Sequence, residues 1–167
     1  MRILIAAVPL LLLAACSDDA PVKKPVAEVK QMTAGEYEIT GKVTALASTD
    51  NTTPKTNLKI GDTTVAKGCV AADGTIAPTL FAEAGDVCKT VSNYVSGGLM
   101  NTQVSCTRKG NHGFVTSTAA GSFTADTLTA ELTSATAFVG DGDYSMARQI
   151  TGKRIGNCPA AGATAKP

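Results

Sequence analysis

Four turn signals cut the second half of the chain into five runs of strand character: Ser96-Gly97-Gly98, Gly110-Asn111, Ala125-Asp126 and Gly140-Asp141-Gly142. Short turns of this composition join antiparallel strands, because their backbone twist suits a hairpin. Each turn also sets a register, and a one-residue slip would carry every side chain of the next strand to the other face. Centring each hairpin on its turn places Tyr94 against Met100 and Cys88 against Cys106 across the first. Across the second, Cys106 meets Val115 and Met100 meets Gly121. Across the third, Phe123 meets Leu128 and Ala119 meets Leu132. Across the fourth, Phe138 meets Tyr144, Thr136 meets Met146 and Leu132 meets Ile150, which sets Arg148 opposite Ser134. The apolar members of these pairs all fall on one face of one meander. The other face carries Asn93, Asn101, Gln103, Thr129, Glu131 and Gln149 and is expected to be the wetter.

The first half is less regular. Glu36 to Leu46 alternates, with Tyr37, Ile39, Val43 and Ala45 on one side and Glu38, Thr40, Lys42 and Thr44 on the other. That period of two marks a half-buried antiparallel strand. Ser48 to Thr56 is a polar loop, and Leu58 to Val65 is expected to fold as a hairpin across Gly61-Asp62. Pro78 to Ala84 has a proline in its first turn and Gly85 as a stop, the signs of one short helix. The expected fold is therefore all-β: a curved antiparallel meander or partly closed barrel, with one short helix and two disulfides.

The leader decides the redox compartment. Arg2 precedes an apolar run from Ile3 to Ala15, too short for a spanning helix of about 20 residues. The run ends in Leu13-Ala14-Ala15-Cys16, which resembles the lipobox of bacterial lipoproteins. The resemblance implies cleavage before Cys16, acylation of its thiol, and acylation of the new amino terminus. One acyl chain holds a protein to a membrane only marginally, at about 0.8 kcal/mol per buried methylene, whereas a triacylated cysteine is a firm anchor. Ser17 after the cysteine implies the outer rather than the inner membrane. The expected organisation is a signal peptide over 1–15, a lipidated tether over 16–33, one all-β domain over 34–158 and a loose tail over 159–167.

Export leaves four cysteines in an oxidising environment: Cys69, Cys88, Cys106 and Cys158. An even set there reads as two disulfides, and no pair has the close spacing of a zinc site. Directly opposed residues of an antiparallel pair lie within disulfide reach. The register therefore favours Cys88–Cys106, and Cys69–Cys158 follows by elimination. The whole chain carries 15 Lys and Arg against 14 Asp and Glu. Losing Arg2 with the leader brings the side-chain balance to zero, so nothing points to nucleic acid.

Ala34-Gly35-Glu36-Tyr37-Glu38-Ile39-Thr40 resembles the Pro-Gly-x-Trp-Glu-x-Thr opening of a family of small exported proteins of Gram-negative bacteria. Thr151-Gly152-Lys153-Arg154-Ile155-Gly156-Asn157-Cys158 is similar to that family's Ser-Gly-Arg-Arg-x-Gly-x-Cys ending. The family also has cysteines at the places of Cys69, Cys88 and Cys106, and a Gly-Asp-Ser-like turn where Ala125-Asp126-Thr127 stands. Tyr37 and Ala125 depart from the family's tryptophan and glycine. It is a domain family of unknown function, so the resemblance implies export, fold and disulfides but no reaction.

Catalytic and metal chemistry lack their parts. His112 is the only histidine and flanks a turn, and no nucleophile elbow is present. Asp141 and Asp143 flank Gly142 as turn residues and offer too few oxygens for a calcium loop. No catalytic residue, metal ligand or cofactor is assigned. Arg148 is the residue to watch, because the register sets it on the apolar face, where an arginine must snorkel, pair or contact a ligand. The sequence thus predicts a non-enzymatic envelope domain that binds a protein or another envelope component. Its rival is a carrier or sensor of a small apolar ligand held in the curved sheet. A filled inner face favours the first, and a lined cavity of roughly 300 Å³ or more the second.

Overall fold

The computed structural model describes residues 30–159. The signal segment, Cys16, the tether before residue 30 and the tail from residue 160 lie outside the described residues. Seven strands form one antiparallel sheet: β1 (Gly35–Ser48), β2 (Thr63–Val70), β3 (Asp86–Ser96), β4 (Leu99–Arg108), β5 (Gly113–Phe123), β6 (Thr127–Phe138) and β7 (Tyr144–Gly156). Their order across the sheet is β2-β1-β7-β6-β5-β4-β3, curled into a half-barrel. The meander from β3 to β7 thus returns to pair with β1, and β2 and β3 are the two edges.

The inner face is the one the period of two marked. Tyr37, Ile39 and Val43 of β1, Val115 and Ala119 of β5, Leu128 and Leu132 of β6, and Met146 and Ile150 of β7 are all buried in one cluster. The second and third hairpins have the expected registers, with Cys106 against Val115, Met100 against Gly121, Phe123 against Leu128 and Ala119 against Leu132. Gly121 is needed there for close approach, since a Cβ would lie 2.2 Å from the Thr129 carbonyl oxygen.

Five sequence expectations need correction. In β1 a bulge between Val43 and Ala45 reverses the alternation, so Ala45 faces out and Leu46 turns partly inward. Leu58 to Val65 forms no hairpin: a turn over Lys59 to Asp62 leads into β2, which pairs with β1. The helix contracts to the 3-10 turn Pro78–Leu80. In the first hairpin Val95, not Tyr94, faces Met100, and a bulge at Val91 then restores Cys88 to Cys106. Between that bulge and the turn the faces are exchanged: Tyr94 is exposed, while Asn93 accepts a hydrogen bond from buried Thr102. In the fourth hairpin the register is two residues away, with Leu132 against Arg148, Ser134 against Met146 and Ala130 against Ile150. The cause is the Asp143 carboxylate, which accepts from Phe138 N and Thr136 Oγ1 and widens the loop. A shift of two keeps every side chain on its face, so Arg148 stays inside.

The chain between β2 and β3 crosses the open side of the half-barrel. Val70 bridges to Ile76, and Ile76, Leu80 and Phe81 are buried beneath the curled sheet. The 3-10 turn packs on both edge strands, β2 and β3. Cys88–Cys106 joins β3 to β4 with Cα atoms 3.9 Å apart, and Cys69–Cys158 ties β2 to the end of the domain at 5.8 Å.

Candidate functional site

On the concave face Ile39, Leu132, Arg148 and Ile150 are only 1–3% exposed. A cavity of about 700 Å³ lies between that face and two connecting segments. Its floor is Ile39 of β1, Leu132 of β6, and Arg148 and Ile150 of β7, with Thr64 to Ala66 of β2 at one side. One wall is the loop over Pro54 to Leu58, and the other runs from Thr79 to Asp86. The loop wall is held by backbone bonds from Thr49 N to Asp143 O and from Lys55 N to Gly142 O, at 3.0 Å each. The Asp50 carboxylate reinforces it by accepting from Gly142 N, Asp143 N, Thr52 N, and the Thr52 and Ser48 hydroxyls. Those bonds, led by the one from Asp143 N, hold the Asp50 carboxyl well below the usual carboxylate range.

A charged cluster joins the two walls. Arg108, at the end of β4, donates Nε and Nη2 to the two oxygens of Asp86 at 2.7 and 2.8 Å. Its Nη2 also lies 3.1 Å from Glu83, and Nη1 donates to Lys55 O and Tyr144 Oη. Tyr144 Oη donates to Glu83, whose other oxygen accepts from Thr56 Oγ1 at 2.8 Å. The rings of Phe138 and Tyr144 flank the guanidinium, at 5.7 and 5.9 Å from their centroids. The hydrogen bonds to Asp86 push the Arg108 pKa above its ordinary value, against the opposing effect of burial. Burial, and then Glu83, push Tyr144 up as well.

Arg148 stands apart from this cluster. It is only 3% exposed, and Nη2 donates to Phe81 O at 3.1 Å. Its Nε is buried with no hydrogen-bond partner among the described residues. Burial lowers its pKa, and the more distant Glu83, Tyr144 and Asp86 only partly oppose that. A buried donor left unmatched costs roughly 1–3 kcal/mol, more for a charged group. Arg148 therefore lines the cavity as a buried cation whose Nε–H is unmatched.

The remaining singled-out residues lie elsewhere. His112 is exposed in the turn before β5, and Asp143 is used in the loop between β6 and β7. No group of three or more His, Cys, Asp or Glu comes together as a metal site among the described residues. Arg108, Glu83 and Asp86 were not singled out by sequence, and Tyr144 was placed there only as a core partner of Phe138.

The segments that resemble the exported family meet at one end of the sheet. Glu36 pairs with Gly156 and Tyr37 with Arg154. Tyr37 Oη lies within hydrogen-bond distance of the carbonyls of Thr33 and Ala125, and Arg154 N donates to Asp126 O. The family described as protein of unknown function (DUF3617) matches residues 32–158. The chain belongs to this family. The DUF3617 domain thus contains all seven strands and both disulfides. No curated protein and no solved structure is detectably similar to the chain. Within the DUF3617 domain, Gly35, Tyr37, Asp126 and Arg154 form a junction of strand ends, and none of them lines the cavity. Gly35 has a φ of 153°, and a Cβ there would lie 2.4 Å from Gly156 O.

Proposed function

We propose that this chain is a bacterial lipoprotein, anchored through lipid on Cys16, whose DUF3617 domain holds a small, mainly apolar ligand on the periplasmic side of the outer membrane. It acts as a carrier or sensor and not as an enzyme. The observation that carries the reading is the cavity of about 700 Å³ floored by Ile39, Leu132 and Ile150. That volume lies within the roughly 300–1,000 Å³ range of small-molecule sites. The test is native mass spectrometry of the full chain purified from membranes, with Ala66→Trp as a cavity-filling comparison. A bound small molecule that the variant lacks is the expected result. An empty wild-type protein, after extraction under conditions that keep lipids bound, counts against the carrier.

A second reading, an interaction module, draws on the edge strand. Val87, Val91 and Tyr94 of β3 and Leu99 of β4 are each more than half exposed. Edge strands with apolar side chains pair readily with other chains. Cross-linking in intact cells, with a photoreactive residue at position 87 or 91, reports on that surface separately from the cavity.

A further inference from the structure

We infer that the ligand is a monoanionic amphiphile, whose carboxylate binds Arg148 and whose apolar body lies along the cavity walls against Leu58, Ala66 and Ala82. This rests on the reading of the cavity as a binding site and adds the chemistry of its occupant. Three observations support it. First, Arg148 lines the cavity, is almost wholly buried, and keeps an unmatched Nε–H. A guanidinium in such a place needs an oxygen acceptor, and a carboxylate matches its planar fork.

Second, no carboxylate of the protein lies within ion-pair distance of Arg148 among the described residues. The two acids that line the same cavity, Glu83 and Asp86, are both occupied by Arg108, and Glu83 by Tyr144 and Thr56 as well. Third, the lining carries Lys55, Arg108 and Arg148 against Glu83 and Asp86. The walls are therefore one positive charge in excess, and one anionic group on the ligand balances them. A buried arginine that served the fold alone would be expected to have its donors met by the protein, as Arg108 has.

The probes are octanoate and decanoate, each labelled with carbon-13 at the carboxyl, and the corresponding alcohols labelled at carbon 1. They are titrated by NMR into the full lipidated chain in phosphatidylcholine vesicles, with empty vesicles subtracted. The acids should bind at least tenfold more tightly than the alcohols. The bound carboxyl should titrate at a lower pH than in free solution, because the guanidinium favours its ionised form. In Arg148→Gln the preference for the acid should vanish while binding of the alcohol persists. Equal binding of acid and alcohol to the wild type overturns the anionic head group and leaves the cavity reading standing. Binding of none of the four overturns both. If Arg148→Gln does not fold, the wild-type preference and the carboxyl titration still decide the matter.

Discussion

Arg108 shows how much of this site depends on single side chains. It neutralises Asp86, whose side chain is 1% exposed, and reaches Glu83, Tyr144 and the Lys55 carbonyl from the same guanidinium. Removing one partner of such a pair leaves a buried charge uncompensated, which costs about 3–5 kcal/mol. Arg108→Met should therefore lower the free energy of denaturant unfolding by roughly that amount. Arg108→Met combined with Asp86→Asn should recover part of it; a single variant as stable as wild type would contradict the role given to the cluster. Asp50 makes the opposite kind of contact, a partly exposed carboxylate that gathers backbone and hydroxyl donors. Its pKa is depressed in the folded chain, so its stabilising effect is complete above the unfolded carboxylate value of about 3.9. The effect is lost as pH falls from there through the depressed value. Asp50→Asn should accordingly lower the melting temperature at pH 7, and the gap to wild type should close in acid below about pH 4. A gap that widens in acid would reverse the sign. Neither cluster was legible in the sequence. Arg108 and Asp86 stand 22 residues apart, and Tyr144 and Glu83 stand 61 apart, so no local spacing marks them. Arg148 was legible, because a charged residue on an apolar stripe contradicts its own pattern.

At the scale of strands, legibility followed the geometry of the turns. The hairpins centred on Asn111 and on Ala125-Asp126 gave their registers from sequence because nothing interrupts their ladders. The first hairpin hides two departures: a pairing one residue off across the turn and a bulge at Val91 that compensates. Cys88 and Cys106 consequently meet although Tyr94 and Met100 do not. Bulges carry no residue signature of their own, so an alternation count passes through them unaware. The β2–β3 crossing was illegible for another reason: the 3-10 turn Pro78–Leu80 is held by tertiary packing and too short for a helical stripe. The two disulfides act on different scales of this sheet. Cys88–Cys106 closes a separation of 18 residues within one hairpin, while Cys69–Cys158 closes 89 and holds the last strand to β2. In the chain-entropy account a short loop of this kind contributes about 3 kcal/mol and one near 100 residues about 4.7. Replacing Cys69 and Cys158 by Ala should thus lower the guanidinium midpoint further than replacing Cys88 and Cys106. The reverse order would mean that the loss of buried Cys106 outweighs chain entropy.

Across the whole molecule, the two ends of the sheet have different duties. Thr33 N donates to Ala125 O, so the chain enters β1 beside the turn between β5 and β6. The junction of Tyr37, Asp126 and Arg154 fastens that end. Arg108, Asp86 and Tyr144 lie at the other ends of their strands, as antiparallel order requires. Strands of 10 to 14 residues separate the two sets, a distance on the order of 30–40 Å. If lipid on Cys16 holds the chain, the anchored segment enters the domain at the junction end, opposite the end that carries the charged cluster. On the proposed lipoprotein reading, anchoring should depend on one atom, the Cys16 thiol. Cys16→Ser removes the thiol proposed to take the lipid. In cells fed an alkyne-tagged fatty acid, the wild-type chain should carry label and sediment with membranes. The variant should carry none, accumulating as uncleaved precursor or as a soluble product. A folded Cys16→Ser chain that still takes label would place the acyl group elsewhere and overturn the anchor at Cys16.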